Sequence, residues 1–389
     1  MSDNPVRVLV VTPPSTVWGA QLFLLSQLDS LSSRGIEFTL ATARNCDFAR
    51  AWEATGRELL DLELRRPDGL TVPGSTQRRG AASLVRTLRD VVGNGRRIAA
   101  IADGYDMLFS FALPGHPSVA VAGRLKRVPV ALDLVDLVRP GVGRRVLRGS
   151  ARIANLTVAN SQATADTVAG AGAVEIIHPG IDLDRFHPGS PPPGLREELS
   201  GGVDRTLVGI VGRLDHRKGA HILVDAMAKL PDELNTRLVV VGDAGTGPPE
   251  YATELRANAE AILGDRVVFV GRRDDVPDIM RALDVLVVAA SSEPFGLTAL
   301  EAHASRTPVI GTNAGGLPEF VVHEETGLLV PPFDVDALAS ALERLLTDDE
   351  LRERLVDEAE KRANPHRGLE AQYDALAQMY RKVAGCEAS

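Results

Sequence analysis

Val285–Glu319 reads VLVVAASSEPFGLTALEAHASRTPVIGTNAGGLPE. Its apolar run, Val285 to Ala290, suits a strand buried on both faces. Ser291, Ser292, Glu293 and Pro294 interrupt it before Phe295 to Ala304 takes on helical composition. A strand, a turn and a helix start are the unit of an α/β fold. Pro294 suits the first helical turn, where its missing N–H would have no partner, and Gly296 lets a ligand approach the N–H groups of Phe295, Gly296 and Leu297. A helix N-terminus carries roughly half a positive charge and favours phosphate. Glu293 and Glu301 bracket that backbone, and carboxylates repel phosphate but accept hydrogen bonds from hydroxyls. Phosphate donors between two hydroxyl acceptors point to a nucleoside-diphosphate sugar. An ordinary βα turn, with an acid near the cap and a solvated Glu301, fits the same residues.

The rest of the chain gives this stretch its context. At 389 residues the sequence exceeds what one hydrophobic core supports, so two domains are expected. Apolar residues make up 44% and charged residues 24%, which is ordinary globular composition. The start, MSDNPVRVLVVTPPS, has no apolar stretch after a basic one, and no run reaches the ~18 apolar residues of a membrane helix. A soluble, cytoplasmic protein is the expectation. Cys46 and Cys386 are too few for a disulfide framework and have no metal-ligand spacing, so neither a structural metal nor a metal cofactor is expected. The net charge of −9 argues against bulk nucleic-acid binding. It is unevenly spread: 22 Lys and Arg stand against 18 Asp and Glu through His187, and 21 against 34 after it.

Val6 to Pro13 reads as a buried parallel strand, and Leu22, Leu25, Leu28 and Leu31 recur at helical spacing before Gly35. A dinucleotide-binding loop needs GxGxxG directly after the first strand; only Gly19 is present, which disfavours an NAD-binding dehydrogenase. Strand and helix patterns then alternate through Glu175 to Gly180, interrupted by the arginine-bearing loop Arg65 to Gly80. Pro188 to Gly202 reads as a linker. Beyond it the alternation restarts, with strands at Thr206–Leu214, Arg237–Gly242, Arg266–Gly271, Val285–Ala290, Pro308–Asn313 and Leu328–Pro331. The fold class is therefore α/β, with two doubly wound, Rossmann-like parallel-sheet domains, 1–187 and 188–368, facing across a cleft at the carboxyl ends of their strands.

Four segments in order, HPGIDLDRFHP (His178–Pro188), VGRLDHRKG (Val211–Gly219), EPFGLTALE (Glu293–Glu301) and GGLPEFVVHEETGLLVPP (Gly315–Pro332), resemble the retaining GT-B glycosyltransferases of family 4. The resemblance implies transfer of a sugar from a nucleotide-diphospho-sugar, expected to be UDP-linked, to an acceptor hydroxyl with an α-glycosidic product. It implies that Arg213 and Lys218 clamp the donor diphosphate, a role that two cations at a strand's carboxyl end would serve without a metal. Glu301 would hold the ribose hydroxyls and Glu293 the sugar. The implied donor-binding set is Gly19, Gly212, Gly242, Arg272, Phe295, Gly296, Leu297, Thr298 and Glu301. Gly19 sits in Trp18-Gly19-Ala20, where the family usually has a Gly-Gly pair. Val135 stands where many members carry His, leaving Asp133 and Asp136 as the nearby polar groups for the sugar or acceptor; these two join Glu293, Arg213 and Lys218 as catalytic candidates. Arg306 replaces a usual Gly, and Pro365–Gly368 lacks the aromatic pair often found before the last helix. That helix, about 369–385, is expected to pack on the N-terminal domain.

On the acceptor side the family places small-molecule, glycan or lipid-linked acceptors in the N-terminal domain. His116 in LPGHPS is a candidate, or an incidental loop residue. Arg144, Arg148 and Arg152 share a helix face at i, i+4, i+8, with no acid from Leu137 until Asp166. They read either as a solvated face or as a surface for an anionic acceptor or membrane. The alternatives to a transferase are a nucleotide-sugar 2-epimerase of the same fold and a degenerate nucleotide-binding member.

Overall fold

The computed structural model describes residues 4–17, 19–65, 81–245, 249–363 and 368–386. Trp18, residues 66–80 of the arginine-bearing loop and residues 365–367, His366 among them, lie outside the described residues. The chain divides into two compact units, Met1–His178 together with Glu370–Ser389, and Pro179–Leu369.

In the first unit, β1 (Val6–Val11), β2 (Ile36–Thr42), β3 (Leu59–Asp61), β4 (Met107–Phe111), β5 (Val130–Leu134), β6 (Leu156–Ala159) and β7 (Val174–Ile176) form one parallel sheet in the order β3-β2-β1-β4-β5-β6-β7. Its connections carry α1 (Gly19–Ser32), α2 (Asp47–Glu53), α3 (Ala81–Ile101), α4 (His116–Lys126), α5 (Val142–Ile153) and α6 (Gln162–Ala165). The central strands are nearly all apolar because helices cover both faces. One face packs Leu9, Leu108 and Leu132 against Ile98 of α3, Val119 of α4 and Leu147 of α5.

In the second unit, β8 (Thr206–Val211), β9 (Thr236–Val241), β10 (Val267–Gly271), β11 (Val285–Val288), β12 (Val309–Thr312) and β13 (Leu328–Val330) run parallel in the order β10-β9-β8-β11-β12-β13. Helices α7 (Leu195–Ser200), α8 (Ala220–Met227), α9 (Pro249–Leu263), α10 (Val276–Ala282), α11 (Leu297–Ala304), α12 (Val335–Thr347) and α13 (Asp349–Ala363) accompany it. Both sheets reverse direction beside their first strand, and in such sheets the switch point is where ligands bind.

The last helix, α14 (Leu369–Ala384), groups with the first unit from Glu370 onward. Its Tyr380 is buried and meets Phe38 of β2 and Phe109 of β4 edge-on, each at 5.4 Å between ring centroids.

The division falls at His178/Pro179, nine residues before the 187/188 boundary expected from composition. Ile181 and Phe186 are buried in the second unit with Leu195 and Leu199, and Ile181 bridges to Gly368. The presumed linker also contains a helix, α7, whose leucines at i, i+4 dock on that core. Proline and glycine density marked an irregular and largely exposed path over Pro188–Gly194, after which Leu195 and Leu199 of α7 are buried. Helix α11 likewise starts at Leu297, not at Pro294; the Phe295 ring packs 5.0 Å from Phe320, and Gly296 caps the helix at φ +105°.

Candidate active site

The second unit's switch point lies between β8 and β11, and the residues that follow these strands meet there. After β8 the chain runs through Gly212 and Arg213 to a short turn, His216–Lys218, closed by Gly219 at φ +73°. A Cβ on Gly219 would stand 2.1 Å from the Ala289 carbonyl oxygen, so only glycine lets this turn lie against the end of β11. Ser291 N–H donates to the Arg217 carbonyl at 2.8 Å and fastens the same contact. Gly242, after β9, approaches equally closely: a Cβ there would lie 1.9 Å from the Gly212 carbonyl oxygen.

This docking brings Lys218 to Glu293. Lys218 Nζ donates to Glu293 Oε2 at 2.7 Å, and Glu293 is only 7% exposed. The backbone carbonyl of Glu293 in turn accepts from Gly316 N–H at 2.8 Å. Arg213 donates twice to Asp215 Oδ2, at 2.9 and 2.7 Å, while Asp215 Oδ1 accepts from Arg217 N–H at the start of the turn. Burial works to raise the Asp215 carboxyl; the Arg213 hydrogen bond and the Arg213 and Arg217 charges outweigh it and hold the group below the usual range. Gly212, Arg213, Lys218 and Thr298 line one crevice, floored by Ile210 and Val287. Thr298, in the first turn of α11, brings the N-terminus of that helix to the crevice's edge.

Glu301 lies one turn beyond Thr298 on the same face of α11. Burial lifts its carboxyl to about 7, and the Arg185 charge opposes the rise. Sequence reasoning missed Arg185 as a neighbour, although it lies inside the quoted His178–Pro188 segment. Arg272 is exposed after β10. The adjacent Arg273 is committed to Asp275, at 2.7 Å, and to Glu198, at 2.8 Å.

The first unit holds the remaining candidates. Gly19 opens α1. Asp133, on β5, is half-buried; desolvation raises its carboxyl to about 7, and the Asp136 charge adds to the rise. Asp136 lies beyond the strand and is exposed. Tyr380 of α14 senses the Asp133 charge, and burial raises its phenol. His116 is not on a surface loop: it starts α4, is fully buried, and its Nδ1 is 2.8 Å from Ser110 Oγ. Burial depresses its pKa to about 4, against a smaller opposing effect of the Asp133 backbone, so the ring is neutral. Arg144 and Arg148 lie on α5 as expected, but Arg144 spends its guanidinium on the carbonyls of Thr167 and Asp166, at 2.9 and 2.8 Å.

Two parallel-sheet units with these strand orders define the GT-B class, and solved structures agree. Anabaena Alr3699/HepE, solved in complex with UDP-glucose, superimposes with a TM-score of 0.78 over 97% of this chain and 99% of that one, at 24% identity. Sucrose-phosphate synthase from Thermosynechococcus elongatus gives 0.76 over 98% and 100%, at 25% identity. Residues 195–362 match the family described as glycosyl transferases group 1. Among curated relatives, the lipopolysaccharide core biosynthesis mannosyltransferase LpcC of Rhizobium leguminosarum bv. viciae is 34% identical over 215 residues, 54% of this chain and 60% of that protein. A D-inositol 3-phosphate glycosyltransferase of Xylanimonas cellulosilytica is 41% identical over 192 residues, 47% of this chain and 45% of that protein. The chain thus spans about half the length of the curated relatives it matches.

Proposed function

We propose that the chain moves a sugar from a nucleotide-diphospho-sugar, UDP-linked, to an acceptor hydroxyl with retention, forming an α-glycosidic bond. The observation that carries this reading is the crevice at the second unit's switch point, where Arg213, Lys218 and the N-terminus of α11 converge. Two cations and a helix N-terminus suit a diphosphate, and they stabilise it most as it leaves with full charge. Glu301 takes the ribose hydroxyls and Glu293 the sugar hydroxyls, with Lys218 holding the Glu293 side chain in place. Neither glutamate serves as a hydrolase-type acid or base; the departing diphosphate itself accepts the acceptor proton on the same face. The site needs no metal, because the two side-chain cations supply the charge that a metal would.

Alr3699/HepE, solved with UDP-glucose, supports the choice of nucleotide. The relative named for lipopolysaccharide core biosynthesis supports a glycan-type acceptor. Asp133 and Asp136 are the acceptor-side groups in this reading, standing in for the histidine replaced by Val135. A thermal-shift screen with UDP-, GDP-, ADP- and dTDP-sugars tests the donor, since binding stabilises the folded state. Product analysis then separates the outcomes: transfer or slow donor hydrolysis supports the proposal. A 2-epimerised sugar from donor alone, or UDP binding without any turnover, would replace it with an epimerase or a nucleotide-binding protein.

A further inference from the structure

Helices α3, α4 and α5 form one layer on the first sheet, burying Ile98, Val119 and Leu147 beneath them. Their outer surface has an unusual composition. In a chain of net charge −9, these three helices carry ten Lys and Arg against one acid, Asp90, which is mostly buried. On α3, Val85, Leu88 and Val92 stand exposed at i, i+3, i+7, with 67%, 57% and 41% of their surface in water. Arg89 and Arg96 lie along the same stripe and are exposed too. Thr87, Val91 and Asn94 are buried on the helix's opposite side, so the orientation of α3 is fixed by packing and the stripe faces outward. Leu125 at the end of α4, and Val142 and Ile153 at the two ends of α5, repeat the exposed aliphatic theme beside Arg124, Arg127 and Arg152.

We infer that this helical layer docks on an anionic lipid bilayer surface, with the Val85–Leu88–Val92 stripe set into the headgroup region and the arginines on lipid phosphates. Aliphatic side chains gain nothing from a hydrophilic polyanion, whereas an interface between headgroups and acyl chains rewards aliphatic and cationic groups together. A second copy of the chain would bring two faces of the same sign together. Among the described residues no helix is long and apolar enough to cross a membrane, so the contact is peripheral. The inference rests on the first unit alone and stands apart from the donor chemistry.

The test is co-sedimentation of the full chain with phosphatidylcholine vesicles, with and without phosphatidylglycerol, at low and high salt. Binding is expected only to the anionic vesicles. It should weaken with salt and fall on the order of tenfold in each of the pairs Leu88→Asn/Val92→Asn and Arg89→Glu/Arg96→Glu. Unchanged circular dichroism and unchanged stabilisation by UDP would show that both pairs remain folded. Equal binding to neutral vesicles, or anionic binding indifferent to both pairs, overturns the inference. So does capture of a DNA duplex that is stronger than vesicle binding and unaffected by the Leu88/Val92 pair, because that is a polyanion site.

Discussion

Lys218 and Glu293, 75 residues apart in sequence, are joined by a 2.7 Å ion pair, and Glu293 is nearly inaccessible to solvent. The pair couples the basic turn after β8 to the acidic turn after β11, so the phosphate-binding and sugar-binding halves of the proposed site form one unit.

Lys218→Ala, Arg213→Ala and Glu293→Ala are each expected to lower transfer by on the order of 10²-fold, the usual cost of a transition-state charge contact. Stability should separate them. Lys218→Met strands a buried carboxylate and costs about 1–3 kcal/mol. Adding Glu293→Gln to that variant should recover most of the stability and none of the activity. Denaturant melts of the four-member cycle check this, and near-normal rates in all three alanine variants would sink the site assignment.

The Glu301 carboxyl is lifted to about 7 by burial, with Arg185 opposing. A folded pKa above the unfolded value means that the folded chain holds the extra proton in between. The group's relative stabilisation is therefore complete below the unfolded pKa and is lost as pH rises through about 7. Glu301→Gln should remove this loss and be the more stable protein at about pH 8.5, by on the order of 2 kcal/mol, with no advantage at about pH 4. In the parent, UDP binding should tighten as the carboxylate forms, because the ribose hydroxyls need an acceptor; the Gln variant should bind more weakly and show no such rise. A parent affinity that is flat across pH 7 removes the ribose role.

Gly219→Ala drives a Cβ into the Ala289 carbonyl and strains a left-handed residue. It is expected to cost about 2 kcal/mol or more and to abolish stabilisation by UDP, since Lys218 moves with the turn. Gly149→Ala in α5, where a Cβ meets nothing within 4 Å, is the control and should gain about 0.5–1 kcal/mol. Equal melting temperatures for the two variants would contradict the packing argument.

Arg306, at φ +59°, occupies a left-handed position. Its guanidinium reaches Asp357 at 2.8 Å, Glu353 at 3.5 Å and Glu360. Arg306→Ala loses these pairs and keeps the backbone strain, whereas Arg306→Gly loses the pairs but relieves the strain. The Gly variant should therefore be the more stable of the two by about 1 kcal/mol. Chemical denaturation of both variants decides, and an Ala variant at least as stable as the Gly variant would refute the account.

Much of the fold was legible because buried parallel strands write themselves as apolar runs, and Val6–Val11, Thr206–Val211 and Val285–Val288 are such runs. The convergence of Arg213, Lys218 and Glu293 was also within reach, since each follows a strand at its carboxyl end. What sequence could not give were partners fixed by tertiary distance. The commitment of Arg144 to two carbonyls, the burial of His116 against Ser110 and the nearness of Arg185 to Glu301 leave no local pattern. The units divide nine residues before the compositional boundary for a related reason: Pro188–Gly202 looked like a linker by composition, but Ile181, Phe186 and Leu199 are held by a core assembled from distant strands.

The return of α14 to the first sheet sets an order of events during synthesis. A ribosome that has made residues 1–178 has produced all seven strands of that sheet, yet Phe38 and Phe109 still lack the Tyr380 ring that covers them. The second unit, continuous from Pro179 to Leu369, can close its core as soon as it emerges. The first domain to be translated is therefore the last to be completed, and a chain cut short before Glu370 would hold the proposed donor site while leaving Phe38 and Phe109 of the first unit's sheet uncovered and open to aggregation.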